Sequence, residues 1–409
     1  MKFCLIGEHL SHSYSKEIHN ATGVDYVLKE VSRCGVGDFV TNSTFDGFNV
    51  TIPYKKDVMP FLDEISKSAL GVGAVNTVAR KNGKLLGFNT DVDGFLYMVS
   101  RKGVNLENKS VLILGTGGAS KAVYYACKLK GAKEINVVGR TSEVNYENCY
   151  EKPCDIIINA TPVGMYPEID GTPIDLTRFS RLEAVFDLIY NPQKTNLLKK
   201  AEELSIVNSN GLSMLVEQAL LAQDIWFDKT HTESQTEEII SQIAKRNLNV
   251  VLTGMPSCGK STIGKKLAKK LNKKFIDLDI FIKDKIGKSP ADIITEYGEA
   301  YFRKIESECV KEVSGFSGTV IALGGGAFIS ETNRYYLSLN SVTVYIKRDL
   351  SLLSTKGRPL SQNQGVNALY EKRKQYYESA DLTAVNNGKI SSTVTEIIKS
   401  YETTCNKWS

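Results

Sequence analysis

Short apolar runs alternate with longer segments of helical period from one end of the chain to the other. Phe3-Cys4-Leu5-Ile6 opens the pattern, strand-like stretches follow at 26–31 and 47–51, and residues 56–67 carry helical spacing. The rhythm sharpens from residue 110. A strand over 110–114 leads through a glycine loop into a helix over 119–130 and a strand over 134–138, with further strands expected at 155–158, 184–188 and 206–208. Residues 212–227 are apolar nearly all round, as in a mostly buried helix. Polar residues then take over at 228–238, followed by one short helical pattern. The alternation restarts with strands at 249–252, 274–277, 319–322 and 342–346, and helices at 260–271, 279–286 and 290–313. No internal repeat or low-complexity tail interrupts it.

Such alternation predicts an α/β fold whose sheets are parallel and covered by helices. A chain of 409 residues exceeds one ordinary core, so two or three domains are expected. The pattern divides into 1–100, completed by helices returning at about 212–240, then 101–211, a linker region over 228–247, and 248–409, with the last boundary near 244–248.

Composition narrows the function classes. With 42% hydrophobic and 24% charged residues the chain reads as a soluble globular protein. Its net charge of +5 is small and spread along the chain, which argues against nucleic-acid binding while suiting anionic small molecules. No apolar stretch approaches membrane-spanning length, and Met1 leads straight into a strand without a signal-peptide pattern. The eight cysteines form no CxxC pair, which suits reduced thiols in a cytoplasmic protein, and four histidines are too few for a metal cluster. A homo-oligomer is left open.

Two glycine loops carry the first chemistry. Gly115-Thr116-Gly117-Gly118-Ala119-Ser120 has the shape of a dinucleotide loop, with Ser120 at the third fingerprint position, and the helix after it would hold a pyrophosphate on free N–H groups. The next strand ends in Gly139-Arg140-Thr141, where an NAD site would prefer an acid; Arg140 instead suits a 2′-phosphate and favours NADP(H). Gly254-Met255-Pro256-Ser257-Cys258-Gly259-Lys260-Ser261 matches the P-loop pattern in full, between a strand and a helix, and Thr262 follows it. Its backbone N–H groups would cradle the phosphates of ATP, Lys260 would reach the β- and γ-phosphates, and Ser261 would ligate Mg²⁺.

Around the first loop, seven motifs stand in order over roughly residues 1–235. They are the segment Gly7 to Asn20 with Ser13 and Ser15, Phe48-Asn49-Val50-Thr51-Ile52-Pro53-Tyr54-Lys55, Gly73-Ala74-Val75-Asn76-Thr77, Gly87-Phe88-Asn89-Thr90-Asp91, Asn159 to Met165, Asp187 to Pro192, and Gly211 to Gln218. This set resembles the shikimate dehydrogenase family. Reducing a ring ketone needs a hydride donor on one face and a proton donor at the carbonyl oxygen. The resemblance implies that Lys55 and Asp91 are the catalytic dyad. It also implies that Ser13, Ser15, Thr51, Asn76 and Gln218 hold the polyol's hydroxyls and carboxylate, with Arg140, Thr141 and Gly211 on the cofactor side. Three positions depart from the family: Gly139 replaces its usual Asn, Val144 a frequent basic residue, and Lys16 a proline. The first two weaken a 2′-phosphate clamp without removing Arg140.

Around the second loop, five segments over about 248–385 resemble the shikimate kinase family. Phe275-Ile276-Asp277-Leu278-Asp279, Gly298 to Glu306 with Arg303, the turn Gly324-Gly325-Gly326, the lid-like Gly357-Arg358-Pro359-Leu360, and Arg373 with Tyr376, Tyr377 and Ala380 carry the likeness. The resemblance implies that Asp279 orients the attacking hydroxyl and that Asp277 joins Ser261 near Mg²⁺. Arg303, Arg373, Gly325 and Gly326 would meet the substrate, and Arg358 would close over the nucleotide. Together the halves imply an N-terminal substrate domain, a Rossmann-like NADP domain and a P-loop kinase domain. These would perform consecutive reactions: 3-dehydroshikimate to shikimate, then shikimate to shikimate 3-phosphate. One alternative keeps the dehydrogenase and makes the kinase-like half an inactive binding module; another has the first half oxidise quinate or shikimate with NAD⁺.

Overall fold

Contacts in the computed structural model, which describes residues 1–10, 13–354 and 365–405, divide the chain into two units. One comprises Met1–Tyr190 and Thr195–Ile243, the other Asn191–Lys194 and Ala244–Ser409.

In the first unit, strands β1 (Phe3–Gly7), β2 (Tyr26–Glu30), β3 (Gly47–Val50), β4 (Glu64–Ile65), β5 (Thr77–Lys81) and β6 (Lys84–Phe88) build a mixed sheet in the order β2-β1-β3-β5-β6-β4. Helices α1 (Ser15–Ala21), α2 (Val36–Asn42), α3 (Lys67–Val72) and α4 (Asp91–Ser100) accompany it. Residues 56–67 were expected to be helical, but only Lys67, the first residue of α3, is: turns, a 3-10 turn at Met59–Phe61 and the short strand β4 occupy the rest. Pro60 suits a helical first turn only, and Asp63 N–H is drawn off to Leu85 O at 2.9 Å, so pairing with β6 wins.

A second sheet in this unit is wholly parallel, in the order β11-β10-β9-β7-β8, from β7 (Ser110–Leu114), β8 (Glu134–Val138), β9 (Ile156–Asn159), β10 (Ala184–Asp187) and β11 (Val207–Ser209). Helices α5 (Gly118–Leu129) and α6 (Asn196–Glu203) cross over it, and α7 (Leu212–Phe227) returns to the first sheet. The order reverses at β7, so the crevice beyond its C-terminal end is the natural ligand site of such a sheet. Helices α4, α5 and the sheet face between them share one apolar core, including Phe95, Met98, Ile113, Val123 and Phe186. The polar segment expected as a linker is mostly helix α8 (Glu233–Asn247), which buries Thr236, Ile239, Ile240 and Ile243.

The second unit carries a parallel sheet in the order β13-β14-β12-β15-β16. Its strands are β12 (Asn249–Thr253), β13 (Lys274–Asp277), β14 (Thr319–Ala322), β15 (Ser341–Lys347) and β16 (Leu382–Val385). Its helices are α9 (Lys260–Leu271), α10 (Leu278–Ile286), α11 (Pro290–Tyr297), α12 (Glu299–Ser314), α13 (Glu331–Leu337), α14 (Val366–Glu378) and α15 (Ile390–Cys405). β12 is buried throughout, as a central parallel strand requires. The helix expected over 290–313 is two helices, broken at Gly298 where φ is +87°, a conformation that favours glycine. No helix among the described residues is long and apolar enough to cross a membrane.

Candidate active sites

In the first unit, Lys55 leaves the turn after β3 and Asp91 opens α4. Lys55 Nζ donates to Asp91 Oδ2 at 2.6 Å, with both side chains largely buried. Asn76 Nδ2 donates to the other carboxylate oxygen at 2.9 Å, and Asp91 N–H donates to Asn89 Oδ1 at 3.1 Å. Asn76 Oδ1 in turn accepts Thr90 N–H at 2.8 Å. Asn89 Nδ2 donates to Ala74 O at 2.9 Å, and Val75 N–H to Lys55 O at 2.7 Å, so three of the motif segments lock one another. Asp91 stands in the first turn of α4, a favourable place for negative charge.

Gln218 lies on α7, which packs close along α4. A Cβ on Gly94 would stand 2.8 Å from Met214 O and 3.1 Å from Gln218 Cβ, so only glycine permits the approach. Gln218 Nε2 donates to Leu215 O of its own helix at 2.7 Å. Ser13 Oγ donates to Ser15 Oγ at 3.1 Å and accepts Ser15 N–H at 3.2 Å, at the start of α1. Thr51 is half-buried, its N–H donating to Ile6 O at 2.9 Å.

The glycine loop faces the same cleft. A Cβ on Gly118 would lie 3.9 Å from Lys55 Cδ, whereas around Gly117 nothing stands within 4 Å. Gly115 has φ +104°, and a Cβ there would press on Ala160 O at 3.0 Å. Ala119 and Ser120 continue into α5, Ser120 buried beneath the helix. This cradle of close backbone and open space at a helix start fits a dinucleotide's pyrophosphate. Arg140 and Thr141 are exposed beyond β8, and Gly211 caps α7 with its N–H on Ile189 O at 3.0 Å.

Tyr190 was missed in the sequence. Its ring meets that of Tyr14, the residue between Ser13 and Ser15, at 4.9 Å, and burial raises the pKa of its hydroxyl. Only its place within the Asp187–Pro192 motif could have flagged it. Asp187, from the same motif segment, and Asn159, from another, brace the ends of β10 and β9. Asn159 Nδ2 donates to Asp187 Oδ1 at 3.0 Å, and Thr195 Oγ1 to Oδ2 at 2.6 Å. Burial pushes the Asp187 carboxyl up to about 7.

In the second unit, the loop after β12 uses φ of +135° at Gly254 and +103° at Gly259 to curl around the Lys260 side chain. The buried ammonium donates to Gly254 O at 2.9 Å and Met255 O at 3.0 Å. Ser257 Oγ donates to Ser354 O at 2.7 Å, and Thr262 is exposed on α9. Ser261 Oγ donates to Asp277 Oδ2 at 2.5 Å, a hydroxyl and carboxylate pair suited to Mg²⁺.

Three further residues converge on the turn after β14. A Cβ on Gly324 would lie 2.8 Å from Asp279 Oδ1, and one on Gly326 would lie 2.5 Å from the Arg303 guanidinium. Arg373 Nη1 donates to Gly325 O at 2.9 Å. A carboxylate and two guanidinium groups around a bare glycine turn can bind a hydroxylated acid. Arg358 lies outside the described residues.

Sequence reasoning missed three supports here. Glu306 holds Arg303 Nη1 at 2.7 Å; burial pushes its pKa up while Arg303 beside it pulls down. Tyr377, assigned no contact from the sequence, donates to Gly325 O at 2.6 Å. Asn386, buried after β16, donates from Nδ2 to Cys258 O in the phosphate loop at 2.7 Å.

Known proteins resemble both units. Residues 5–78 match the shikimate dehydrogenase substrate binding domain and residues 256–402 match shikimate kinase. The NADP(+) shikimate dehydrogenase of Caldicellulosiruptor bescii is 40% identical over 257 residues, covering 56% of this chain and 89% of the relative. That of Clostridium beijerinckii is 39% identical over 243 residues, covering 54% and 90%. A chorismate mutase/shikimate 5-dehydrogenase fusion from Clostridium acetobutylicum superposes with a TM-score of 0.57 at 38% identity, covering 59% of this chain and 96% of its own. The Thermus thermophilus shikimate 5-dehydrogenase, solved with NADP(H) and shikimate, gives 0.54 at 29% identity, covering 59% and 99%.

Proposed function

Because the chain belongs to the shikimate dehydrogenase family, we propose that its first unit reduces 3-dehydroshikimate to shikimate with NADPH. We propose further that its second unit transfers the γ-phosphoryl of ATP to the shikimate so formed. The observation that carries the first reading is the Lys55–Asp91 pair facing the start of the cofactor helix across one cleft. The glycine loop would hold a reduced nicotinamide dinucleotide, which would supply the hydride. Lys55 holds the substrate's carbonyl oxygen and gives it a proton, so that hydride and proton together convert the ketone to a secondary alcohol. Asp91 fixes the ammonium's direction, and Asn76 keeps the carboxylate oxygens apart in their tasks. Ser13, Ser15, Thr51 and Gln218 hold the ring's hydroxyls and carboxylate, with Tyr190 closing the far side.

In the second unit Asp279 orients the attacking hydroxyl and takes its proton, while Arg303 and Arg373 fork the substrate's carboxylate. Lys260 balances the charge that passes to ADP as the bond from the β–γ bridging oxygen to phosphorus breaks. Ser261 and Asp277 would hold Mg²⁺, which supplies charge neutralisation between the phosphates. The family match over 256–402 and the convergence of Asp279, Arg303 and Arg373 on one turn support this reading. The test is a coupled assay on the full chain with 3-dehydroshikimate, NADPH and Mg·ATP. NADPH consumption followed by ADP release supports both halves. Reduction without ADP release, even with added shikimate, reduces the second unit to a binding module, and a preference for NADH overturns the cofactor assignment.

A further inference from the structure

The structure departs from a standard 2′-phosphate clamp in a way that points to a substitute. In a dinucleotide fold, the residues just beyond the second strand meet the ribose of the adenosine. Here that strand is β8, and the first residue beyond it, Gly139, has no side chain to offer. Its N–H donates to Val144 O at 3.2 Å, closing a tight turn over 139–144. The Val144 side chain packs against the apolar cluster of Leu114, Val138 and Cys149, so position 144 is anchored inward and contributes no charge to the rim.

Closing the turn brings Ser142 back over Gly139. A Cβ on Gly139 would run into Ser142 Oγ and would lie 2.8 Å from Thr116 Cγ2 of the cofactor loop. The Ser142 hydroxyl therefore stands at the end of β8, beside the pyrophosphate loop, in the space a longer residue at 139 would need. Arg140 is exposed on the same turn. Arginine supplies the charge and a hydroxyl a directed donor, which is what a phosphate monoester on a ribose requires.

Resting on the NADP(H) reading above, we propose that Ser142 Oγ and Arg140 together hold the 2′-phosphate, and that Ser142 sets the preference for the phosphorylated dinucleotide. The probes are 2′,5′-ADP and 5′-AMP, titrated calorimetrically into the full chain. Ser142→Ala is expected to weaken 2′,5′-ADP by about tenfold, as loss of one hydrogen bond to a charged group implies, and to leave 5′-AMP unchanged. Gly139→Asn alone should weaken 2′,5′-ADP because it collides with Ser142. Gly139→Asn with Ser142→Gly should bind it more tightly than either single variant. Equal weakening of both probes by Ser142→Ala, or of neither, overturns the proposal, as does a wild-type chain that does not distinguish them. Discrimination between the probes without turnover of 3-dehydroshikimate would instead count against the reductase reading and leave this one standing.

Discussion

Lys55 donates to Asp91 at 2.6 Å while Asn76 holds the opposite carboxylate oxygen at 2.9 Å, so the ammonium has one fixed direction in which to present its remaining protons. Positioned proton donors contribute on the order of 10²–10⁴-fold to such steps. Lys55→Ala should therefore slow NADPH-dependent ketone reduction by about 10³-fold, with phosphorylation nearly intact. Lys260→Ala should do the reverse, with ADP release falling by at least about 10²-fold. Each variant removes a buried cation and should lower the thermal midpoint while keeping one cooperative transition; loss of both activities from a folded variant would refute separate sites. These residues were readable because short ordered motifs surround them. Tyr190, Glu306 and Asn386 were not, since each is an ordinary residue type whose meaning comes from what the fold sets beside it.

At the scale of elements, the glycine loops and the strands that feed them were plain from apolar runs ending in glycine, because a buried parallel strand admits few polar residues. Helix α8 was not plain. Its stripe of Thr236, Ile239, Ile240 and Ile243 has helical spacing, but the polar composition around it reads as linker. What fixes it is tertiary: Glu237 accepts from Arg101 Nε at 2.5 Å and Nη2 at 2.6 Å, and from Tyr97 Oη at 2.7 Å, on the far end of the helix that begins with Asp91. Glu237 is partly exposed, so screening reduces the value of the pair. Glu237→Ala should cost about 1 kcal/mol in urea unfolding of the first unit, and a cost near zero would show that apolar packing alone seats α8. A second element-scale prediction concerns β16, whose following residue Asn386 pins the Cys258 carbonyl at 2.7 Å. Asn386→Ala should raise the KM for ATP several-fold, roughly one lost buried hydrogen bond, while the KM for shikimate stays put. An unchanged KM for ATP would make the bond incidental.

For the whole molecule, the balance of buried charge was not foreseeable, since no motif reports how deeply a side chain will lie. In the first unit, His19 is fully buried, stacked on Tyr26 with ring centroids 4.0 Å apart, and its Nδ1 meets Gln223 Nε2 at 2.8 Å. Burial lowers its pKa from 6.5 to about 3. Between those values the unfolded chain carries a proton there that the fold refuses, so His19 makes stability fall as pH falls from 6.5 toward 3. Asp187 works in the opposite sense. Burial raises it from 3.8 to about 7, against the hydrogen bonds from Thr195, Ile189 N–H and Asn159, so over that window the fold holds a proton the unfolded chain has lost. Its contribution is present at low pH and is lost as pH rises toward 7. Where the windows overlap, from pH 3.8 to 6.5, each group alone would tilt stability by about 1.4 kcal/mol per pH unit, and the two slopes cancel. Single substitutions should expose the hidden slopes. In His19→Gln, urea midpoints of the first unit's transition should decline from pH 3.8 to 6.5 relative to wild type, and in Asp187→Asn they should rise across the same interval. Each variant also loses packing or a hydrogen bond, which shifts its whole curve without tilting it. Two curves parallel to wild type would mean that neither group changes its protonation on folding.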